Sequence, residues 1–115
     1  MRQEGGSMIK LIASDIDGTL LEEGTDGINP EIFTVIRELK KKGIVFAAAS
    51  GREYASLRRL FQPVKDDIYF IADNGASVMY SGEEIYATLM DRGLLEEVVK
   101  KVRTLPGCYS VISTR

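Results

Sequence analysis

The sequence predicts an α/β fold: a parallel, Rossmann-like sheet that runs into the start of an α+β segment. Three observations carry this. Short apolar runs recur at residues 9–14, 44–49 and 68–72, near-continuous rather than alternating, as strands covered on both faces are. Between them lie segments with the 3.6-residue apolar period of helices. After Ala76 that alternation gives way to a hairpin pattern. The 115 residues are a single-domain length, and 44% hydrophobic with 28% charged residues is ordinary for a globular chain.

Residues 1–7 are polar and glycine-rich with no apolar stretch, so they are expected to be a tag or disordered tail rather than a signal peptide. The first strand spans residues 9–14, and a polar, glycine-containing loop follows at 22–27. Asn29-Pro30-Glu31 then supplies an N-cap, a proline at the first helical position and an acid in the first turn. Ile32, Val35, Ile36 and Leu39 form one apolar face of this helix. Lys40, Lys41 and Lys42 suit its negative end, and Gly43 closes it. The second strand ends at Ser50-Gly51-Arg52-Glu53, where Ser50 and Glu53 have capping-box spacing, so a helix is expected to open there. Tyr54, Leu57 and Phe61 line its inner face, Leu60 sits at the edge, and Pro63 bars continuation.

After the third strand, residues 77–80 and 85–89 read as an antiparallel pair joined through Ser81-Gly82-Glu83-Glu84. Asp91 is positioned to cap a helix carrying Leu94, Leu95, Val98, Val99 and Val102, stopped by Pro106-Gly107. Residues 108–113 are expected to form one more strand. The change of pattern near Ala76 predicts that a second module begins there.

Composition excludes several functions. A net charge of −2 offers no basic surface for nucleic acid. No apolar run approaches the roughly 20 residues that span a bilayer. The lone Cys108 forms no internal disulfide, which fits the cytoplasm. With no histidine and one cysteine, any metal must be held by oxygen, which points to ions such as Mg²⁺.

The reactive centre is expected at Asp15 and Asp17. An apolar run ends there in two carboxylates one residue apart, and a strand does not carry such acids without partners or a task. In a βαβαβ sheet, ligands bind beyond the carboxyl ends of the strands. Asp15, Ser50 and Asn74 each fall at or just past such an end.

Asp15-Ile16-Asp17-Gly18-Thr19-Leu20-Leu21 resembles the first motif of the haloacid-dehalogenase-like phosphohydrolases. Ser50-Gly51-Arg52 is similar to their second motif, and Asp73-Asn74-Gly75-Ala76 resembles the Asn-Gly-Ala segment of the Cof-type sugar-phosphatase branch. The resemblance implies that residues 8–76 are the N-terminal part of the family's core, its first three βα units, and that 77–115 begin a cap domain. It implies a phosphatase acting on small phosphorylated metabolites, with Asp15 as nucleophile and Asp17 as acid and base. It also implies Mg²⁺ held by the Asp15 carboxylate and the Asp17 backbone carbonyl. Gly18 would let the backbone approach the phosphate, with N–H groups near it cradling its oxygens. The Ser50 hydroxyl and Gly51 N–H would seat the anion at a helix start. Arg52 and Asn74 would touch phosphate or substrate.

Family members also carry a phosphate-neutralising lysine and a further acidic pair past the cap. Asp66, Asp67, Glu83, Glu84, Glu96 and Glu97 are poorly placed to replace them, so the chain is expected to hold only the nucleophile half of the site. The alternative is a non-catalytic remnant that binds phosphate or a partner, or self-associates through unfinished sheet edges. A phospho-accepting receiver domain is disfavoured, because its acceptor lies on a later strand.

Overall fold

A computed structural model describes residues 8–114; the tail expected at residues 1–7 lies outside them. Five strands form one sheet in the order β1 (Leu11–Asp15), β2 (Val45–Ala49), β3 (Tyr69–Ala72), β4 (Ser77–Tyr80) and β5 (Glu83–Ala87). β1, β2 and β3 run parallel, and β4 and β5 return antiparallel. Three helices accompany them: α1 (Pro30–Lys41), α2 (Tyr54–Leu60) and α3 (Arg92–Arg103). The register sets Asp15 beside Ala49 and Ala49 beside Ile71, so the carboxyl ends of all three parallel strands finish level.

α1 begins as its sequence requires. The Asn29 side chain accepts a hydrogen bond from the Glu31 N–H at 3.0 Å, Pro30 occupies the first turn, and Gly43 follows with φ +75°. Asn29→Ala is expected to lower stability by about 1 kcal/mol, read as a shift in the denaturation midpoint. The inward face differs from expectation: Phe33 and Ile36 are buried, whereas Val35 is half exposed. Phe33 turns inward because it meets Phe61 edge-on, with ring centroids 6.2 Å apart.

The core lies between α1, α2 and the sheet. Ile16, Leu57, Phe61, Val64, Ile68 and Phe70 are its most completely enclosed large side chains. Phe61 is the hub, with Phe33, Phe46 and Phe70 each 6.2 Å away by ring centroid. Leu57 is buried and Tyr54 and Leu60 pack against the cluster, as the helical period predicts.

Four further expectations are corrected. β1 is not covered on both faces: among the described residues it pairs only with β2, and Leu11 and Ile12 are exposed. Its apolar character therefore exceeds what this chain buries. Ser50 does not open α2, which starts at Tyr54; Glu53 is its N-cap residue and makes no side-chain capping bond. The hairpin turn is two residues, Ser81-Gly82, rather than four. Both have positive φ (48° and 80°), the backbone a two-residue turn demands, so β5 begins at Glu83. Residues 108–113 form no strand, and Tyr109 and Val111 stand almost fully exposed, with no strand beside them among the described residues.

The hairpin continues the parallel sheet, because β4 pairs directly with β3. α3 is capped by Asp91, whose side chain accepts from the Leu94 N–H at 3.0 Å, but none of its residues is buried. No helix among the described residues is long and apolar enough to cross a membrane.

Candidate active site

The carboxyl edge of the parallel strands holds a cavity of about 320 Å³ lined by Asp15, Ser50, Gly51, Asn74 and Gly75, with Ala49 and Ile71 as its floor. Three polar groups face it without a protein partner. Among the described residues nothing hydrogen-bonds the Asp15 carboxylate, the Gly51 N–H or the Asn74 side-chain amide. One is a carboxylate and two carry N–H donors. Such a set can receive a tetrahedral anion with an electrophilic centre.

The main chain fixes this edge. Ser50 N–H donates to the Ile71 carbonyl at 3.0 Å, Asn74 N–H to the Ser50 carbonyl at 3.1 Å, and Asp73 N–H to the Arg52 carbonyl at 2.9 Å. Asn74 adopts a left-handed conformation, φ 55° and ψ 34°, which asparagine tolerates better than most residues. Its amide lies against Gly51. A Cβ there would come 3.0 Å from Asn74 Oδ1, so any side chain at this position would press the amide aside by a few tenths of an ångström.

Asp17 is tied to a second cluster beside the cavity. The Arg52 guanidinium grips its carboxylate with Nε at 3.1 and 3.0 Å from the two oxygens and a terminal nitrogen at 2.7 Å. Ser50 Oγ donates to the same carboxylate at 3.2 Å and accepts from the Arg52 N–H at 3.1 Å. The hydrogen bonds from Arg52, aided by its charge and by Ser50, hold the Asp17 carboxyl below its usual range against the opposing effect of desolvation. Asp17 is thus ionised in the free site.

Gly18 has φ +78°, as a sharp departure from the strand requires. The N–H groups of Gly18, Thr19, Leu20 and Leu21 are already bonded within the turn rather than free to cradle phosphate. Gly18 N–H donates to the Leu21 carbonyl at 2.9 Å, and the N–H groups of Thr19, Leu20 and Leu21 all converge on the Ile16 carbonyl. The turn closes on itself from Gly18 onward, and Gly51 N–H remains free among the described residues.

The predicted residues therefore divide into two adjoining groups. Asp15, Ser50, Gly51 and Asn74 surround the cavity, while Asp17 and Arg52 pair next to it through Ser50. Ser56 was not anticipated. It accepts a hydrogen bond from the second terminal nitrogen of Arg52 at 3.2 Å, and its i+4 spacing on the same chain segment was the available signal.

A free carboxylate and two N–H donors thus border one cavity at the carboxyl edge of a parallel α/β sheet. Comparison with known proteins gives the family. A family model of haloacid dehalogenase-like hydrolases matches residues 12–115, and the chain belongs to that family. It is 32% identical over 98 residues to a 5-amino-6-(5-phospho-D-ribitylamino)uracil phosphatase of Escherichia coli, covering 85% of this chain and 36% of that protein. It is 36% identical over 91 residues to phosphoglycolate phosphatase 1 of Saccharolobus solfataricus, covering 78% and 40%. A solved structure from Eubacterium rectale aligns with TM-score 0.77 and 41% identity over 83% of this chain and 36% of that one. A phosphatase of the same superfamily from Bacteroides thetaiotaomicron aligns with TM-score 0.72 at 26% identity, over 90% and 38%. The chain thus spans 36% to 40% of the length of these relatives.

Proposed function

We propose that the protein is a Mg²⁺-dependent phosphatase of small phosphate esters, sugar phosphates among them, working through an aspartyl-phosphate. The observation that carries this reading is the unpartnered Asp15 carboxylate facing the free Gly51 N–H and Asn74 amide across one cavity. In it, residues 8–76 belong to the catalytic core and 77–115 lead into a cap, and the protein works in the cytoplasm.

An Asp15 oxygen attacks phosphorus in line, and the ester P–O bond breaks as the new P–O bond forms. Gly51 N–H and the Asn74 amide receive the phosphoryl oxygens, while the Ser50 hydroxyl stays bonded to Asp17. The departing alkoxide takes a proton from Asp17. Arg52 keeps Asp17 ionised in the free site, but a phosphate dianion beside it opposes that charge and raises its proton affinity. Asp17 then takes a proton from water as that water attacks the aspartyl-phosphate, which releases phosphate and restores Asp15.

The residues present fit Mg²⁺. The Asp15 carboxylate and Asp17 carbonyl are hard oxygens one residue apart, and this ion binds through one or two carboxylates with phosphate and water completing its shell. No group of three or more His, Cys, Asp or Glu side chains gathers among the described residues. The ion would supply neutralisation of charge on the phosphoryl oxygens.

The test is release of phosphate by the full gene product from a panel of alkyl and sugar phosphates. Release in Mg²⁺ that stops with EDTA is expected. A folded protein that binds Mg²⁺ yet releases nothing across the panel overturns the reading.

The open edge of β1, with Leu11 57% exposed, favours a second reading in which the chain self-associates through sheet edges and is not catalytic. Sedimentation decides: a clean monomer that turns over substrate removes it.

A further inference from the structure

We propose that Arg52, held by Ser56, is a positioning residue that aims the Asp17 carboxylate, and that it does not bind the substrate phosphate. The proposal rests on the assignment of Asp17 as acid and base.

Arg52 is anchored at three places. Its N–H donates to Ser50 Oγ, its carbonyl accepts from the Asp73 N–H at 2.9 Å, and its guanidinium reaches Ser56 Oγ at 3.2 Å. From that frame the fork closes on both oxygens of Asp17. Three of the five N–H groups a guanidinium carries are then committed. An exposed ion pair contributes little to stability, and these side chains are 38% and 51% exposed. Two parallel N–H···O bonds nonetheless define a direction, which a single point charge does not. Asp17 opens a turn in which the N–H groups of Gly18, Thr19, Leu20 and Leu21 bond internally. Arg52 does not line the cavity bordered by Asp15, Gly51 and Asn74. Its charge is engaged by the acid.

A residue that aims a general acid matters most where the leaving group needs a proton. An alkoxide needs one; p-nitrophenolate leaves without it. A phosphate ligand, by contrast, acts on every ester alike and moves KM. The experiment measures kcat and KM of the full gene product on a sugar phosphate and on p-nitrophenyl phosphate, for wild type, Arg52→Ala, Arg52→Lys and Ser56→Ala. For Arg52→Ala, kcat on the sugar phosphate is expected to fall about 10²-fold, the lower end of a general acid's contribution, with a much smaller loss on p-nitrophenyl phosphate. KM is expected to stay put on both. Arg52→Lys should not rescue, since an ammonium lacks the fork, and Ser56→Ala should show the same leaving-group pattern in weaker form. Equal losses on both esters with a raised KM overturn the proposal in favour of phosphate binding. No change on either ester overturns it in favour of a plain surface pair.

If the wild type releases phosphate from neither ester, the phosphatase reading fails, and the pairing is decided by NMR of the Arg52 Nε–H. A resonance displaced from that of free arginine, and returned towards it by Asp17→Asn and by Ser56→Ala, supports positioning. A resonance insensitive to both substitutions overturns it.

Discussion

Asp15→Asn is expected to lower phosphate release from the full gene product by about 10³-fold or more. The amide is nearly the same size and shape, so the substitution tests chemistry rather than packing. It removes the charge that makes the oxygen a nucleophile and leaves no anion to form the aspartyl-phosphate. Because the Asp15 carboxylate has no hydrogen-bond partner among the described residues, the variant should melt with the wild type. Steady-state release and a thermal scan on the same sample check both halves. A variant retaining a tenth of wild-type turnover would place the nucleophile elsewhere.

Phe61→Ala carries the largest expected effect on stability, about 3–5 kcal/mol. Phe61 has no exposed surface, and its ring meets those of Phe33, Phe46 and Phe70. Those neighbours belong to α1, β2 and β3, so no single element can move inward to fill the void. Near 100 residues, each kcal/mol corresponds to about 4–8 °C in Tm, and a fall of roughly 15 °C or more follows. Phe61→Leu keeps most of the volume and should lose less. Chemical denaturation of the two variants gives the comparison; a loss below about 1 kcal/mol for alanine would show that this junction does not hold the layers together.

Much of this architecture was legible before any coordinates. Asn29-Pro30-Glu31 announces a helix start because cap, fixed φ and dipole agree locally, and α1 begins there. The rotation of that helix was not legible. Ile32, Phe33, Val35 and Ile36 are all apolar, so the period admits two settings, and the position of Phe61 selects between them. Residues 108–113 have the composition of a strand, but a strand exists only with a neighbour to bond, and none reaches them here. Ser50 and Glu53 had the spacing of a capping box, yet Ser50 turns its hydroxyl to Asp17. The position of the acids at a strand end followed from pattern alone. Which N–H groups remain free did not, because that depends on how the turn after Asp17 folds back on the Ile16 carbonyl.

The loop after β2 is bonded to β3 from Ser50 to Ile71 and stitched to the loop after β3 by the bonds from Asn74 to Ser50 and Asp73 to Arg52. Connections of this kind ordinarily fluctuate open far more readily than the sheet beneath them. Here the amide hydrogens of Asp73 and Asn74 are expected to exchange with deuterium on the timescale of β3 rather than that of a surface loop; exchange as fast as in an unstructured peptide would contradict the stitching. An incoming anion then meets donors already ordered, and little conformational entropy is lost on binding. On the proposed reading, the seat would act as a rigid mould, with selectivity set by its shape before any ligand arrives.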